Sequence, residues 1–139
     1  MGFDLEPRNK KIDQFHFGAF SWSWMMNAGV GLVLGYSPSK QPAEFTYIPD
    51  KKGRCPSYND GYYVSADLAW AMAQAAIGLT VGQRRINKEW AELEPEEREK
   101  QKERNEKLRI YKMPVREDFI EIVEKFAVWA QISRGFGIF

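Results

Sequence analysis

The sequence predicts a single α+β domain dominated by helices, with three or four helices around a core of Phe, Trp and Ala and a small sheet that joins the two chain ends. Two observations lead to this fold class. Apolar and aromatic residues recur at helical spacing in separate segments, whereas both chain ends have the character of short strands. The length of 139 residues fits one domain, residues 1–139, that is long enough to bury a core.

The first part of the chain predicts a strand, a loop and a helix. The segment GFDL, residues 2–5, alternates apolar and polar residues as a short strand does, and the polar segment 7–13 follows as a loop. From Phe15 to about Met26, aromatic rings recur at helical spacing, which predicts a helix buried on most sides. The glycines of NAGVGLVLG then weaken the helical pattern, because each costs about 1 kcal/mol relative to alanine.

Residues 37–61 predict a long irregular connection. They contain four prolines and two glycines, and a short strand is expected only at EFTYI, residues 44–48. Connections of this length without regular structure are uncommon in compact domains and are often functional.

Two helical segments are predicted after this connection. Ser65 is expected to cap a helix rich in small residues, with Asp67 in its first turn. Gly78 and Gly82 are expected to end that helix. A charged helical segment, residues 83–110, follows, and Pro95 is expected to kink or divide it.

The last helix is predicted to open at residues 116–118 and to end near Gly135. Its apolar stripe consists of Phe119, Ile122, Val123, Phe126 and Trp129. A terminal strand in GFGIF would then pair with GFDL and join the two chain ends.

Charge argues against a nucleic-acid partner. Twenty basic and 19 acidic residues leave a net charge of +1, without the basic excess that phosphate neutralisation requires. Between residues 84 and 107 there are eight basic and eight acidic side chains. Several stand four apart with the acid first, which is typical of a solvated helix face. These pairs are Glu94/Arg98, Glu96/Lys100 and Glu103/Lys107.

The chain predicts no metal site, no cofactor and no membrane span. Cys55 is the single cysteine and His16 the single histidine, so no internal disulfide or cysteine-based zinc site is expected. The N-terminal segment lacks the apolar core of a secretory signal. Residues 17–36 are uncharged and long enough to be tested as a membrane span, but four glycines and several polar groups favour a buried helix and loop in a cytoplasmic protein.

The segment YNDGYY, residues 58–63, is the first candidate binding site. Asn59, Asp60 and Gly61 tolerate positive φ and predict a turn. The flanking tyrosines, Tyr58, Tyr62 and Tyr63, offer flat surfaces with polar tips that suit a base, a ring or a sugar. We favour a pocket, because pockets combine aromatic walls with a few polar groups. The alternative is a capped turn whose rings cover the core.

FSWSW is the second candidate. Trp22 and Trp24 are two residues apart, so on a helix they point in different directions and one of them can face a groove. The alternative is that the rings of Trp22 and Trp24 both lie in the core. GVGLVLG resembles a phosphate-binding loop only weakly, because its glycines follow a helix. His16 could act as a general base oriented by Asp4, Asp13 or Asp60, although a lone histidine is more often structural.

Taken in order, MGFDL, FSWSW, YNDGYYVSADLAWAMA and the closing FIEIVEKFAVWAQISRGFGIF resemble a family of small phage and prophage proteins. That family has an N-terminal Met-Gly-x-Asp strand, a Trp-rich helix, a Tyr-Asn-Asp-Gly turn and a C-terminal aromatic helix ending in Gly-Phe. This chain departs from it with MMNAG where Arg-Pro-Leu-Trp often follows the Trp-rich segment, and with a charged helix where some members insert cysteine pairs.

The resemblance brings no established activity with it. It implies a small phage-type accessory protein, such as a counter-defence factor or a modulator of a host enzyme. The positions carried over are Trp22, Trp24, Tyr58, Asn59, Asp60 and Gly61.

Three functions are compatible with these features. The first is a non-catalytic protein that sequesters a small nucleotide-like ligand, such as a host immune signal, with Arg84 or Arg85 at a phosphate. Its ligand-binding residues would be Trp22, Trp24, Tyr58, Asn59, Asp60, Gly61, Tyr62, Arg84 and Arg85. The second is an inhibitor that binds a host protein, and the third is a small hydrolase that uses His16. A homo-oligomer is also expected, through the alanine face and the surplus aromatic residues.

Overall fold

The computed structural model describes residues 2–35, 37–38, 45–46, 50–108 and 113–139, with the backbone alone at 37–38 and 45–46. Parts of two predicted segments therefore lie outside the described residues, namely the connection 37–61 and the last two residues of the charged segment 83–110. The described elements are β1 (Gly2–Pro7), β2 (Phe15–Gly18), α1 (Ala19–Asn27), a 3-10 helix (Val30–Leu34), β3 (Ser37–Pro38), β4 (Phe45–Thr46), β5 (Tyr62–Val64), α2 (Ala66–Ala91), α3 (Pro95–Leu108), α4 (Glu117–Ile132) and β6 (Phe136–Ile138). The predicted α-dominated α+β class is confirmed.

The two chain ends form the middle of a four-stranded antiparallel sheet with the order β2-β1-β6-β5. β1 pairs with β6 in the register Leu5↔Ile138, as the alternating ends predicted. Asp4 and Phe139 extend this pairing, since the backbone N–H of each donates to the carbonyl of the other at 2.7 and 2.8 Å. One face of the sheet packs into the core, where Leu5, Phe17, Val64, Phe136 and Ile138 are fully buried.

The helix predicted from Phe15 begins four residues later, at Ala19. Phe15 to Gly18 instead form β2 and pair with β1. Phe15 and Phe17 both pack against the ring of Phe126 on α4. Apolar residues two apart satisfy a strand as well as a buried helix, so the local pattern alone did not separate the two.

The expectation that Gly78 and Gly82 end the second helix is wrong, because α2 continues through both to Ala91. The opposite side of α2 packs along α4 through buried small residues, and this packing outweighs the low helix propensity of glycine. The predicted N-cap is present, since the Ser65 Oγ accepts a hydrogen bond from the backbone N–H of Leu68 at 3.3 Å.

Pro95 divides the charged segment as predicted, because α2 ends at Ala91 and α3 begins at Pro95. The predicted Glu94/Arg98 contact is replaced by a helix cap. The Arg98 guanidinium donates to the carbonyls of Trp90 and Ala91 at 3.2 and 3.3 Å, which satisfies the last turn of α2.

The connection at residues 37–61 contains more regular structure than expected. β3 and β4 pair in the register Ser37↔Thr46, and β4 lies within the predicted strand EFTYI. Residues 50–61 then form a series of turns. Within the described part of the chain, no helix combines the length and the apolar character that crossing a bilayer requires.

Gly135 makes the turn from α4 into β6 with φ +95°, and a Cβ there would lie 2.7 Å from both the Tyr63 Oη and the Val64 carbonyl oxygen. We expect Gly135→Ala to lower the free energy of unfolding by about 2 to 4 kcal/mol, because it adds a backbone clash to the cost of a left-handed alanine. Urea denaturation measures this change.

Gly53→Ala is the matched control. Gly53 also has a positive φ, of +75°, but a Cβ there meets no atom of the described residues within 4 Å. For Gly53→Ala we expect the free energy of unfolding to fall only by the conformational cost of about 1 kcal/mol. Equal losses of free energy for the two variants would contradict the steric explanation.

Candidate functional site

A cavity of about 480 Å³ lies between the end of α1, the middle of α2 and the segment 113–115. Its size is within the usual range for small-molecule sites. The described residues that line it are uncharged: Trp24, Asn27, Ala28, Leu79, Gln83, Ile86, Met113 and Val115.

Two amide side chains on α2 hold one wall of this cavity in place. The Asn87 Oδ1 accepts the backbone N–H of Val115 at 3.0 Å, and its Nδ2 donates to the Val115 carbonyl at 2.8 Å. One turn earlier, the Gln83 Nε2 donates to the Asn87 Oδ1 at 2.9 Å and to the Met113 carbonyl at 2.8 Å. The segment 113–115 is therefore attached to α2 by three hydrogen bonds, and the bond between Gln83 and Asn87 orients the two amides.

These bonds also fix which way the Gln83 amide points. Because Val115 can only donate its N–H, the Asn87 oxygen must face it, and the Gln83 nitrogen must in turn face that oxygen. Gln83 is only 6% exposed. Among the described residues no donor contacts its Oε1, so an amide acceptor is left available in the wall of the cavity.

Trp24 supplies a complementary group. Its ring is half-buried, packs 6.3 Å from the ring of Phe119 and lines the cavity. No acceptor contacts its indole Nε1 in the described part of the chain. Trp22 points elsewhere, as the spacing predicted: it is fully buried and its Nε1 donates to the Pro56 carbonyl at 3.1 Å.

The YNDGYY segment lies away from these lining residues, at the edge strand β5. Tyr58, Asn59 and Asp60 are exposed, whereas Gly61 is buried with φ +92° and donates its N–H to the Ile138 carbonyl at 2.7 Å. Tyr62 packs against the core. Of the three tyrosines only Tyr62 packs against the core, so the segment is a largely exposed turn, and the pocket that the sequence favoured stays a prediction.

Tyr63 is partly exposed and has a cation within reach, since the guanidinium of Arg8 lies 4.6 Å from the centre of its ring. Arg8 follows β1, so this contact ties the first hairpin to β5 on the outer face of the sheet.

Hydrogen bonds to two carboxylates order the turns before this segment. The Asp50 Oδ1 accepts the backbone N–H groups of Lys52 and Arg54, each at 2.9 Å. The Arg54 backbone N–H is the main reason why the pKa of Asp50 is lowered. The Asp60 Oδ2 accepts the Cys55 N–H at 3.3 Å.

Burial raises the pKa of the Cys55 thiol, and the negative charges of Asp60 and Asp50 raise it further. Burial also raises the pKa of Tyr62, again with the charge of Asp50 as a second cause. Both groups therefore keep their protons at neutral pH.

Arg84 and Arg85, the predicted phosphate ligands, are engaged by carboxylates. The Arg84 guanidinium donates to Glu117 and Glu124 on α4, and these bonds, that to Glu124 first, raise its pKa. The Arg85 Nε donates to the Glu89 Oε1 at 3.0 Å. Neither arginine is among the residues that line the cavity.

His16 pairs with one of its three candidate aspartates. Asp4 lies directly opposite it in the β1–β2 register, and the His16 Nδ1 is 2.8 Å from the Asp4 Oδ1. Both side chains are more than half exposed, as is usual for a cross-strand surface pair. Among the described residues no group of three or more His, Cys, Asp or Glu side chains is placed to hold a metal ion.

Sequence reasoning missed Gln83, Asn87 and the segment 113–115. A signal existed, because residues 83 and 87 continue the spacing of the buried residues 69, 73, 76 and 80 on α2. Two amides on a buried stripe require hydrogen-bond partners. Those partners, at Met113 and Val115, lie about 30 residues away and carry no local pattern.

Comparisons with protein-family models, with curated proteins and with solved structures find no match to this chain. The resemblance to a phage family remains a prediction. A functional proposal then has to rest on the chemistry of the site, because a fold does not determine an activity.

Asn87→Asp tests the role of the amide pair. The new carboxylate cannot donate to the Val115 carbonyl and places a negative charge against it, so we expect a loss of about 1 to 3 kcal/mol in the free energy of unfolding at pH 7. Urea denaturation measures the loss. Asn59→Asp, at an exposed turn position, is the control, and similar losses for both variants would contradict the attachment.

The raised pKa of Cys55 predicts how stability changes with pH. In the unfolded chain the thiol ionises near pH 8.5, whereas the folded protein retains the proton, so the free energy of unfolding should fall as the pH rises above about 8.5. Urea denaturation at pH 7.5 and 9.5 measures the fall, and Cys55→Ser should reduce it. A fall of the same size in the variant would show that Cys55 is not the cause.

Proposed function

We propose that this protein binds, without catalysis, an uncharged planar ligand that carries a hydrogen-bond donor beside an acceptor, as a nucleobase does. The observation that carries the proposal is the buried Gln83 amide, which lines a cavity of about 480 Å³ with its Oε1 unused among the described residues. No side-chain nitrogen or oxygen among the described residues is both buried and unpaired, so the Gln83 Oε1 is open to the space of the cavity. A ligand with a donor at this position would form a directional hydrogen bond with it.

The cavity offers both a hydrogen-bond acceptor and a hydrogen-bond donor for such a ligand. The Gln83 Oε1 can accept from a ring N–H or an amino group, and the Trp24 Nε1 can donate to a ring nitrogen or a carbonyl. The aliphatic side chains of Leu79 and Ile86 provide apolar walls for the ring. Apolar walls with a few directional polar groups are the usual composition of a small-molecule site.

The charges near the site favour the base of a nucleotide over its phosphate. The described lining residues are uncharged, and the guanidinium groups of Arg84 and Arg85 already bind carboxylates. A phosphate inside the cavity would lose its hydration without gaining a cation from the described lining residues. Of the nucleotide-like ligand expected from the sequence, only the base would therefore enter the cavity, and any phosphate would point to solvent.

We also propose that binding serves sequestration by a phage-type accessory protein in the cytoplasm of a bacterial host. The support for this wider role is the motif resemblance, in which Trp24 is the position shared with the cavity. Tyr58, Asn59 and Asp60 take no part in this proposal, because they lie in the exposed turn before β5.

The direct test is isothermal titration of the purified protein with the four ribonucleosides and with their 5′-monophosphates. At least one nucleoside is expected to bind with a stoichiometry of one, and its monophosphate should bind no more tightly. Trp24→Phe keeps an aromatic ring and removes the indole donor, so it should weaken binding by about tenfold.

Leu79→Trp supplies the decisive variant, because the larger side chain fills the cavity. It should abolish binding without lowering the melting temperature, whereas Val128→Trp, at an exposed position on α4, should leave affinity unchanged. The proposal fails if no nucleoside binds, if only phosphorylated ligands bind, or if Leu79→Trp binds normally.

A further inference from the structure

The side of α2 that faces away from α4 carries a continuous row of exposed residues, which we call the outer face. It consists of Asp67, Trp70, Gln74, Ile77, Gly78, Val81, Arg85 and Lys88. Trp70, Ile77 and Val81 are 57%, 42% and 67% exposed. The spacing of three and four residues places all members on one side of the helix over about 30 Å.

The glycines of this helix have no explanation within the fold. A Cβ at Gly78 or at Gly82 would meet no described atom within 4 Å. Each glycine nevertheless costs an exposed helix interior about 1 kcal/mol relative to alanine. Glycine on an exposed helix surface allows the backbone of another helix to approach closely, which a larger side chain would prevent.

We propose that the outer face binds the outer face of a second copy of this chain, with the two α2 helices antiparallel and the two-fold axis between Ile77 and Gly78. In this arrangement the row is complementary to itself. Ile77 of each copy faces the partner's Gly78, so that a large side chain fills the space that the glycine leaves. Gln74 faces the partner's Val81.

Charge complementarity indicates that the partner on the outer face is a second copy of this chain. The same axis places Asp67 opposite the partner's Lys88 and Trp70 opposite the partner's Arg85. The first contact is an ion pair and the second places a guanidinium against an indole face. The symmetry makes each contact twice, once at each end of the interface. The Arg85 pairing with Glu89 leaves its planar face available for stacking.

The parallel arrangement is disfavoured by the same residues. Two parallel helices in register would bring Asp67 against Asp67, Arg85 against Arg85 and Lys88 against Lys88. Three like-charge contacts oppose association, whereas the antiparallel arrangement removes all of them. The buried alanines cannot provide the self-contact that the sequence suggested, because Ala69, Ala73 and Ala76 already lie in the core.

This inference does not depend on the proposed ligand. The cavity is lined by Leu79 and Gln83, which lie on another side of α2. Association can therefore be tested in the absence of any nucleoside, and the result is distinct from that of the binding test.

Sedimentation equilibrium of the purified chain is the measurement. A reversible dimer is expected. Gly78→Leu should raise the dimer dissociation constant at least about tenfold, because it occupies the space of close approach. It should also raise the melting temperature of the monomer, since a good helix former replaces an exposed glycine. Val128→Glu, at an exposed position on α4, is the control and should leave the dissociation constant unchanged.

Charge reversal tests the orientation. Asp67→Lys or Lys88→Glu alone should weaken the dimer, and the double variant should restore it, because the ion pair is then reversed. The proposal is overturned if the chain remains a monomer at millimolar concentration, which would leave the outer face to a different protein. It is also overturned if a dimer forms that neither Gly78→Leu nor the single charge reversals weaken.

Discussion

The ring of Phe126 lies where the sheet, α1 and α4 meet. It contacts rings from β2, α1, β6 and its own helix at centroid distances between 5.6 and 6.4 Å, several of them edge-to-face. The partners are Phe15, Phe17, Trp22, Trp129 and Phe136. Aromatic pairs of this kind add to the free energy that area burial supplies. The helix that carries this ring, α4, also packs along α2, which carries the cavity residues Leu79, Gln83 and Ile86.

Helix α2 has two chemically different sides. One side is buried and ends in two amides that attach the segment 113–115, and the other carries exposed apolar residues and two glycines. A helix of this length is held by its packed side, so substitutions on the free side are tolerated by the fold. Requirements for ligand binding and for association can therefore be met on one helix without conflict.

The sequence indicated those parts of the fold that depend on local patterns. The alternating chain ends, the Ser65 cap and the break at Pro95 each follow from a few neighbouring residues, and the structure contains all three. The predictions of a helix from Phe15 and of a helix end at Gly78 and Gly82 were wrong, because contacts with distant elements decide both structures. Two apolar residues at i and i+2 fit either a strand or a buried helix until a pairing partner is known.

The candidate site was still harder to anticipate. Of the predicted ligand-binding residues, Trp24 lines the cavity, whereas the turn at Tyr58 lies elsewhere and Arg84 bridges α2 to α4. Gln83 gains its importance only from the Met113 carbonyl, 30 positions later in the chain. Short sequence motifs do not encode such long-range hydrogen bonds.

The central position of β1 and β6 has a consequence for biosynthesis. Leu5 leaves the ribosome long before Ile138, which lies on the strand that pairs with it on one side. Throughout synthesis of the intervening chain, the β1–β2 hairpin exposes an unpaired edge and a row of apolar side chains, which is the form of surface that joins other nascent chains. Closing so long a loop is also slow. Folding yield in the cell would therefore depend on chaperones that protect this hairpin until β6 arrives.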